Sequence, residues 1–102
     1  MSSEYPHSVG EYTVLTKSLE PFQTIERHFH KGRVETCHII SGVGTFTVEK
    51  TRIKKGVGDS ITFRKNITHM IQNNENEALE WLEVSVVLDH RIAMSSDSHE
   101  EQ

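Results

Sequence analysis

Apolar and polar residues repeatedly trade places along this chain in short runs separated by glycine, proline and asparagine. That spacing is the one that puts alternate side chains of a strand on opposite faces. Tyr12 and Val14 alternate with Thr13 and Leu15, which predicts a strand over Glu11 to Lys17 that Glu20-Pro21 interrupts. Further strands are predicted over Phe22 to Phe29, Val34 to Ile40, Thr45 to Glu49, Ser60 to Arg64 and Thr68 to Gln72, and a last, most apolar one over Ala78 to Leu88. In the third run the period of two puts Glu35, Cys37 and Ile39 on one face and Thr36, His38 and Ile40 on the other. Ser41-Gly42-Val43-Gly44 and Lys54-Lys55-Gly56-Val57-Gly58-Asp59 read as turns, and Ser60–Arg64 with Thr68–Gln72 reads as a strand pair around Lys65-Asn66. No amphipathic helix is read, beyond a short turn allowed by Ile92 to Ser96. Many short strands with glycine turns indicate an all-β sandwich or barrel.

Composition narrows the picture. The chain has 102 residues, enough for one domain. Its parts are expected to be a flexible segment 1–9, a β-barrel domain 10–88, and a polar, disordered tail 89–102. Only 34% of the residues are hydrophobic, which is little for a self-sufficient core and favours a homodimer. The net charge of −4 and the lack of a basic cluster argue against a nucleic-acid partner. No apolar run approaches the roughly 18 residues that span a bilayer. A polar start without an apolar signal core, and a single cysteine, Cys37, lead to the expectation of a cytoplasmic protein.

The candidate chemistry lies in His28-Phe29-His30-Lys31-Gly32-Arg33-Val34-Glu35. Two histidines two apart share a face of a strand. Glu35, after a polar turn, is expected on the next strand of a hairpin facing the same pair. Imidazole nitrogen and carboxylate oxygen are ligands for divalent first-row metals. Three such groups leave room for a fourth, and His69, closing the run Gly58 to His69, is the candidate. Arg33 suits an anionic group through its planar fork of donors, and Lys31 is a further candidate phosphate contact. By parity His38 points away from the site and Cys37 is a small core side chain.

His28-x-His30, four residues, Glu35, six residues and Gly42 resembles the first motif of the cupin superfamily. Gly58-Asp59 through His69 and Asn73 resembles the second, with Arg64 and Asn66 where that motif usually has proline and glycine. The resemblance implies a small single-domain cupin, a jelly-roll β-barrel, in which His28, His30, Glu35 and His69 hold one divalent transition metal: zinc, manganese, iron, cobalt or nickel. It also implies that Asn73 supports the site near His69 and is not a ligand.

Pro21 to Gly44 and Gly58 to Val84 are further similar to the C-terminal cupin domain of type II phosphomannose isomerases, a domain also fused to mannose-1-phosphate guanylyltransferases. The likeness is carried by His30 with Arg33 and Glu35, by Ser41-Gly42, by His69 with Asn73, and by Leu82-Glu83-Val84. It implies a metal-dependent isomerase acting on a sugar phosphate, with no residue declaring itself as the base. Three differences stand out. The family commonly has glutamine where His28 stands, the segment between Leu15 and Pro21 is shorter, and Ser85 to Arg91 does not match the family's acidic stretch ending in a catalytic arginine. Three histidines and a carboxylate equally suit an Fe(II)-dependent dioxygenase, and a non-catalytic cupin that binds a sugar or metabolite is the third reading.

Overall fold

A computed structural model describes residues 11–88 and the backbone of Ser98–His99. The expected flexible segment 1–9 lies outside the described residues. So does most of the tail 89–102, of which Ser98–His99 forms a strand. The described chain is all β. Its strands are β1 (Tyr12–Leu19), β2 (Thr24–Phe29), β3 (Arg33–Ser41), β4 (Gly44–Val48), β5 (Thr51–Lys55), β6 (Ser60–Phe63), β7 (His69–Gln72), β8 (Leu79–Val87) and β9 (Ser98–His99).

These strands make two antiparallel sheets, ordered β1-β8-β3-β6 and β5-β4-β7-β2-β9. The first eight strands have the order of a jelly roll, with alternate crossings from one sheet to the other. Among the described residues hydrogen bonding does not run continuously around a ring, so the barrel consists of two facing sheets. Between them lie Leu19, Cys37, Ile39, Phe63, Leu79 and Trp81 from the first sheet and Phe46 and Ile71 from the second. The parity expected for β3 holds: Glu35, Cys37 and Ile39 are buried, whereas His38 and Ile40 are exposed.

Three local expectations are corrected by the topology. β2 and β3 do not form a hairpin, because β2 pairs with β7 and β3 with β6 and β8. β6 and β7 likewise belong to different sheets, so the Lys65-Asn66 turn carries the chain across the sandwich and does not close a strand pair. Lys54-Lys55, read as turn, end strand β5, which pairs with β4 along its whole length. Thr51-Arg52-Ile53-Lys54-Lys55 is an edge strand, and lysines on an edge oppose unwanted pairing with other chains.

Two turns depend on left-handed backbone. Gly42 has φ 83°, and a Cβ there would collide with the Ala78 carbonyl oxygen, so the turn after β3 can press against the start of β8. Asn66 has φ 65°, a conformation asparagine tolerates better than most residues. It stands where the second motif usually has glycine and takes up the left-handed backbone there itself. Its backbone N–H donates to the His30 carbonyl at 2.7 Å, joining this crossing to the histidine segment.

Candidate metal centre

His28, His30, Glu35 and His69 converge, with one ligand atom from each lying within 4.8 Å of the others. The convergence runs across the sandwich. β2 supplies His28 and, one residue past its end, His30; β7 supplies His69; β3 in the facing sheet supplies Glu35. His28 and His69 are direct partners across β2 and β7.

A bulge in β2 aims this set. Ile25 pairs with Ile71 but His28 pairs with His69, so β2 spends one more residue than β7 over the same span. An extra residue reverses the alternation locally. Ile25 and His28, three apart and on opposite faces of a regular strand, thereby both line one cavity. The cavity measures about 170 Å³, and Lys17, His30, Arg33, Glu35, Glu83 and Ser85 also line it. Lys31 stands exposed on the β2–β3 turn and is not among the lining residues. A larger, shallow depression of about 590 Å³ bounded by Arg27, Glu49 and Lys50 contains none of the four converging residues.

The hydrogen bonds orient the imidazoles. His69 Nδ1 donates to the Ile67 carbonyl at 3.0 Å, and His28 Nδ1 to the Glu26 carbonyl at 2.7 Å. These bonds fix the tautomers that leave each Nε2 as an acceptor. Phe63, the strand partner of Glu35, stacks flat on His69 with centroids 3.9 Å apart and planes 3° apart. Glu35 receives the remaining approach: its Oε2 is 3.3 Å from His30 Nε2, and its Oε1 is 3.8 Å from His69 Nε2. Ligand atoms about 2.1 Å from one metal stand roughly 3 to 4.2 Å apart, depending on the angle between them.

The residues fit a divalent cation. His69 Nε2 is buried and has no hydrogen-bond partner, which is costly for a polar atom unless something else meets it. Burial, with Glu83 adding repulsion against the pull of Lys17, Arg33 and His28, raises the Glu35 carboxyl to about 7. Burial, reinforced by His28 and His30, lowers His69 to about 4 despite the bond to Ile67. A desolvated carboxylate and an imidazole kept neutral together call for positive charge, and a cation at their centre would supply it. Burial pushes the Cys37 thiol well above its ordinary range, so this side chain serves as unreactive core.

Asn73 is fully buried, as expected of a support, but its partners are elsewhere. Its Nδ2 lies 3.1 Å from the Leu19 and Glu20 carbonyls and 2.8 Å from that of Glu77, and its Oδ1 accepts from the Glu75 N–H at 3.0 Å. It ties the end of β1 to the loop before β8 and does not bond His69. Sequence reasoning passed over Lys17 and Glu83, which line the cavity and pair with each other at 3.3 Å. The signal was available: Glu83 falls on the inward parity of the most apolar strand, between Trp81 and Ser85.

Comparison with known proteins agrees with this fold. The cupin domain model matches residues 15–85, and the chain belongs to the cupin family. No curated protein matches it. Among solved structures, it is similar to a predicted oxalate decarboxylase from Thermotoga maritima, at 28% identity and a TM-score of 0.70, covering 74% of this chain and 65% of that one. A candidate sugar phosphate isomerase from Acidithiobacillus ferrooxidans is 29% identical with a TM-score of 0.69, over 76% of this chain and 51% of that one. A Streptococcus pyogenes protein of unknown function is 26% identical with a TM-score of 0.67, over 78% and 67%. The chain thus spans about two thirds of the first of these proteins and half of the second. Among the described residues no helix is long and apolar enough to cross a membrane.

Proposed function

We propose that this cupin is a metal-dependent isomerase acting on a small sugar phosphate, with His28, His30, Glu35 and His69 as the metal ligands. The observation that carries the metal reading is the buried, unpartnered His69 Nε2 directed at a carboxylate and two further imidazoles. A bound divalent metal would act as a Lewis acid toward a hydroxyl and a carbonyl oxygen of the sugar. The protein's part is to place the substrate and move its proton. Arg33 lines the cavity and is the phosphate-binding residue of this reading; Lys31, exposed on the turn, is a second contact for a ligand reaching out of it. At about 30 Å³ per water, the cavity holds roughly six waters' worth of ligand. That admits the reacting end of a sugar phosphate and leaves the phosphate of a hexose at the rim. The likeness to the candidate sugar phosphate isomerase supports the same choice.

A second reading, Fe(II)-dependent oxidation, is favoured by one feature: His28 completes a three-histidine, one-carboxylate set where the isomerase domains have glutamine. We also propose a homodimer and a cytoplasmic location. Interconversion of mannose 6-phosphate and fructose 6-phosphate by metal-loaded protein tests the isomerase reading. Oxygen uptake by the iron-loaded protein without such interconversion would favour oxidation. Neither activity would leave a binding protein.

A further inference from the structure

The first-sheet wall of the cavity, across from His28 and His69, carries a second pair of ionisable groups. Glu83 faces inward from β8 and is 6% exposed. Both its oxygens are engaged: Trp81 Nε1 donates to Oε1 at 3.1 Å, and Lys17 Nζ lies 3.3 Å from Oε2. Lys17 reaches in from the edge strand β1 and keeps 43% of its side chain exposed, so the pair sits where the cavity meets solvent. In the register of β3 with β8, Glu35 faces Ser85 and Cys37 faces Glu83. Glu35 and Glu83 are therefore diagonal neighbours on one face, with Cβ atoms about 7 Å apart.

A buried ion pair is weak evidence for a stabilising role, since apolar residues of similar volume often do as well or better. A ligand held beside Glu35 and the imidazoles would present its remaining atoms to Glu83 and Lys17. We propose, building on the isomerase reading, that Glu83 is the proton-transfer residue of this site. Lys17 is its positioning partner and shares with Arg33 the holding of the anionic end of a small α-hydroxycarbonyl substrate.

The step balances without a co-reactant. Glu83 Oε2 takes the proton from the carbon that bears the hydroxyl. The C–H electron pair forms a double bond to the carbonyl carbon, and the carbonyl π pair moves to its oxygen, giving an enediolate and a neutral Glu83. The hydroxyl proton passes to the neighbouring oxygen, the carbonyl re-forms at the first carbon, and Glu83 returns its proton to the second. One carbon is oxidised and its neighbour reduced by the same two electrons.

The test uses zinc- or manganese-loaded wild type, Glu83→Gln, Glu83→Asp and Lys17→Met, each first checked for metal content. Proton NMR in D2O follows exchange of the α-proton of mannose 6-phosphate and of dihydroxyacetone phosphate. Wild type should exchange it, Glu83→Gln should lose about 100-fold or more at full metal content, and Glu83→Asp should recover part of the loss. Lys17→Met should raise KM more than it lowers kcat. Binding of 2-phosphoglycolate, followed by calorimetry, should weaken about fivefold or more in Lys17→Met and stay equal or tighten in Glu83→Gln, which removes a negative charge. Exchange by wild type that survives in Glu83→Gln overturns the role of Glu83 and leaves the isomerase reading standing. No exchange by wild type overturns that reading and this role with it. Equal 2-phosphoglycolate affinity in all the proteins overturns the role of Lys17.

Discussion

His28 and His69 stand directly opposite each other on neighbouring antiparallel strands, with ring centroids 4.3 Å apart. A strand pair alone holds these two imidazoles together, and the facing sheet then has only to deliver Glu35. His28→Gln introduces the residue common at this place in type II phosphomannose isomerase domains. The variant should bind metal about tenfold or more weakly, because an amide oxygen replaces an imidazole nitrogen. When saturated with metal it should keep isomerase activity. Loss of that activity at full metal content, with calorimetry confirming saturation, would transfer weight to the oxidative reading.

The buried carboxyl of Glu35 makes stability pH-dependent in the metal-free protein. Its pKa is 4.5 in the unfolded chain and about 7 in the folded one, so folding favours its proton. The cost to stability is absent below pH 4.5, grows as pH rises, and is complete above pH 7, at about 3 kcal/mol. His69 acts in the opposite direction, since its lowered pKa penalises the folded state as pH falls from 6.5 toward 4. Metal-free Glu35→Gln should therefore melt higher than metal-free wild type at pH 8, with the difference vanishing near pH 4.5. Thermal melts at the two pH values check this, and a variant equal to wild type at pH 8 would contradict it.

The Asn73 side chain joins three backbone carbonyls, those of Leu19, Glu20 and Glu77. Asn73→Ala removes these bonds, and with them the one its Oδ1 accepts from the Glu75 N–H, and should destabilise the fold by about 2–4 kcal/mol. Because Asn73 does not bond His69, metal affinity measured on the folded variant should stay within a few-fold of wild type. Urea unfolding and metal titration of the same sample separate the two effects.

Tyr12 and Val14 on β1, and Leu82, Val84 and Val86 on β8, alternate with the cavity-lining residues Thr13, Leu15, Lys17, Glu83 and Ser85. They form an apolar outer face on the first sheet, with Tyr12 and Val14 largely exposed. A homodimer would cover it. Light scattering should give twice the chain mass for wild type and the monomer mass for a Val14→Asp, Val84→Asp double variant. A monomeric wild type would count against the dimer.

Much of the fold was legible because a half-buried strand writes its parity into the sequence, as Glu35, Cys37 and Ile39 against His38 and Ile40 show. The four converging residues were legible because ligand chemistry restricts the residue types and the spacing of the motifs is unusual. Pairing was less legible. A two-residue turn such as Lys65-Asn66 looks the same whether it closes a hairpin or crosses between sheets, and only long-range contacts decide. β5 was hidden because an edge strand with one central apolar residue, Ile53, has the composition of a loop. The bulge in β2 left no local mark, yet it sets which face Ile25 and His28 share. Lys17 and Glu83 meet across β1 and β8, a pairing that alternation within either strand does not state.

The most direct test is elemental analysis of protein purified without chelator or affinity tag, beside His69→Ala prepared in the same way and shown to be folded. Wild type should carry about one first-row transition metal per chain, and His69→Ala should carry almost none. If folded wild type holds no metal even after reconstitution with zinc, manganese, iron, cobalt and nickel, or if His69→Ala holds as much as wild type, the metal centre described above is contradicted.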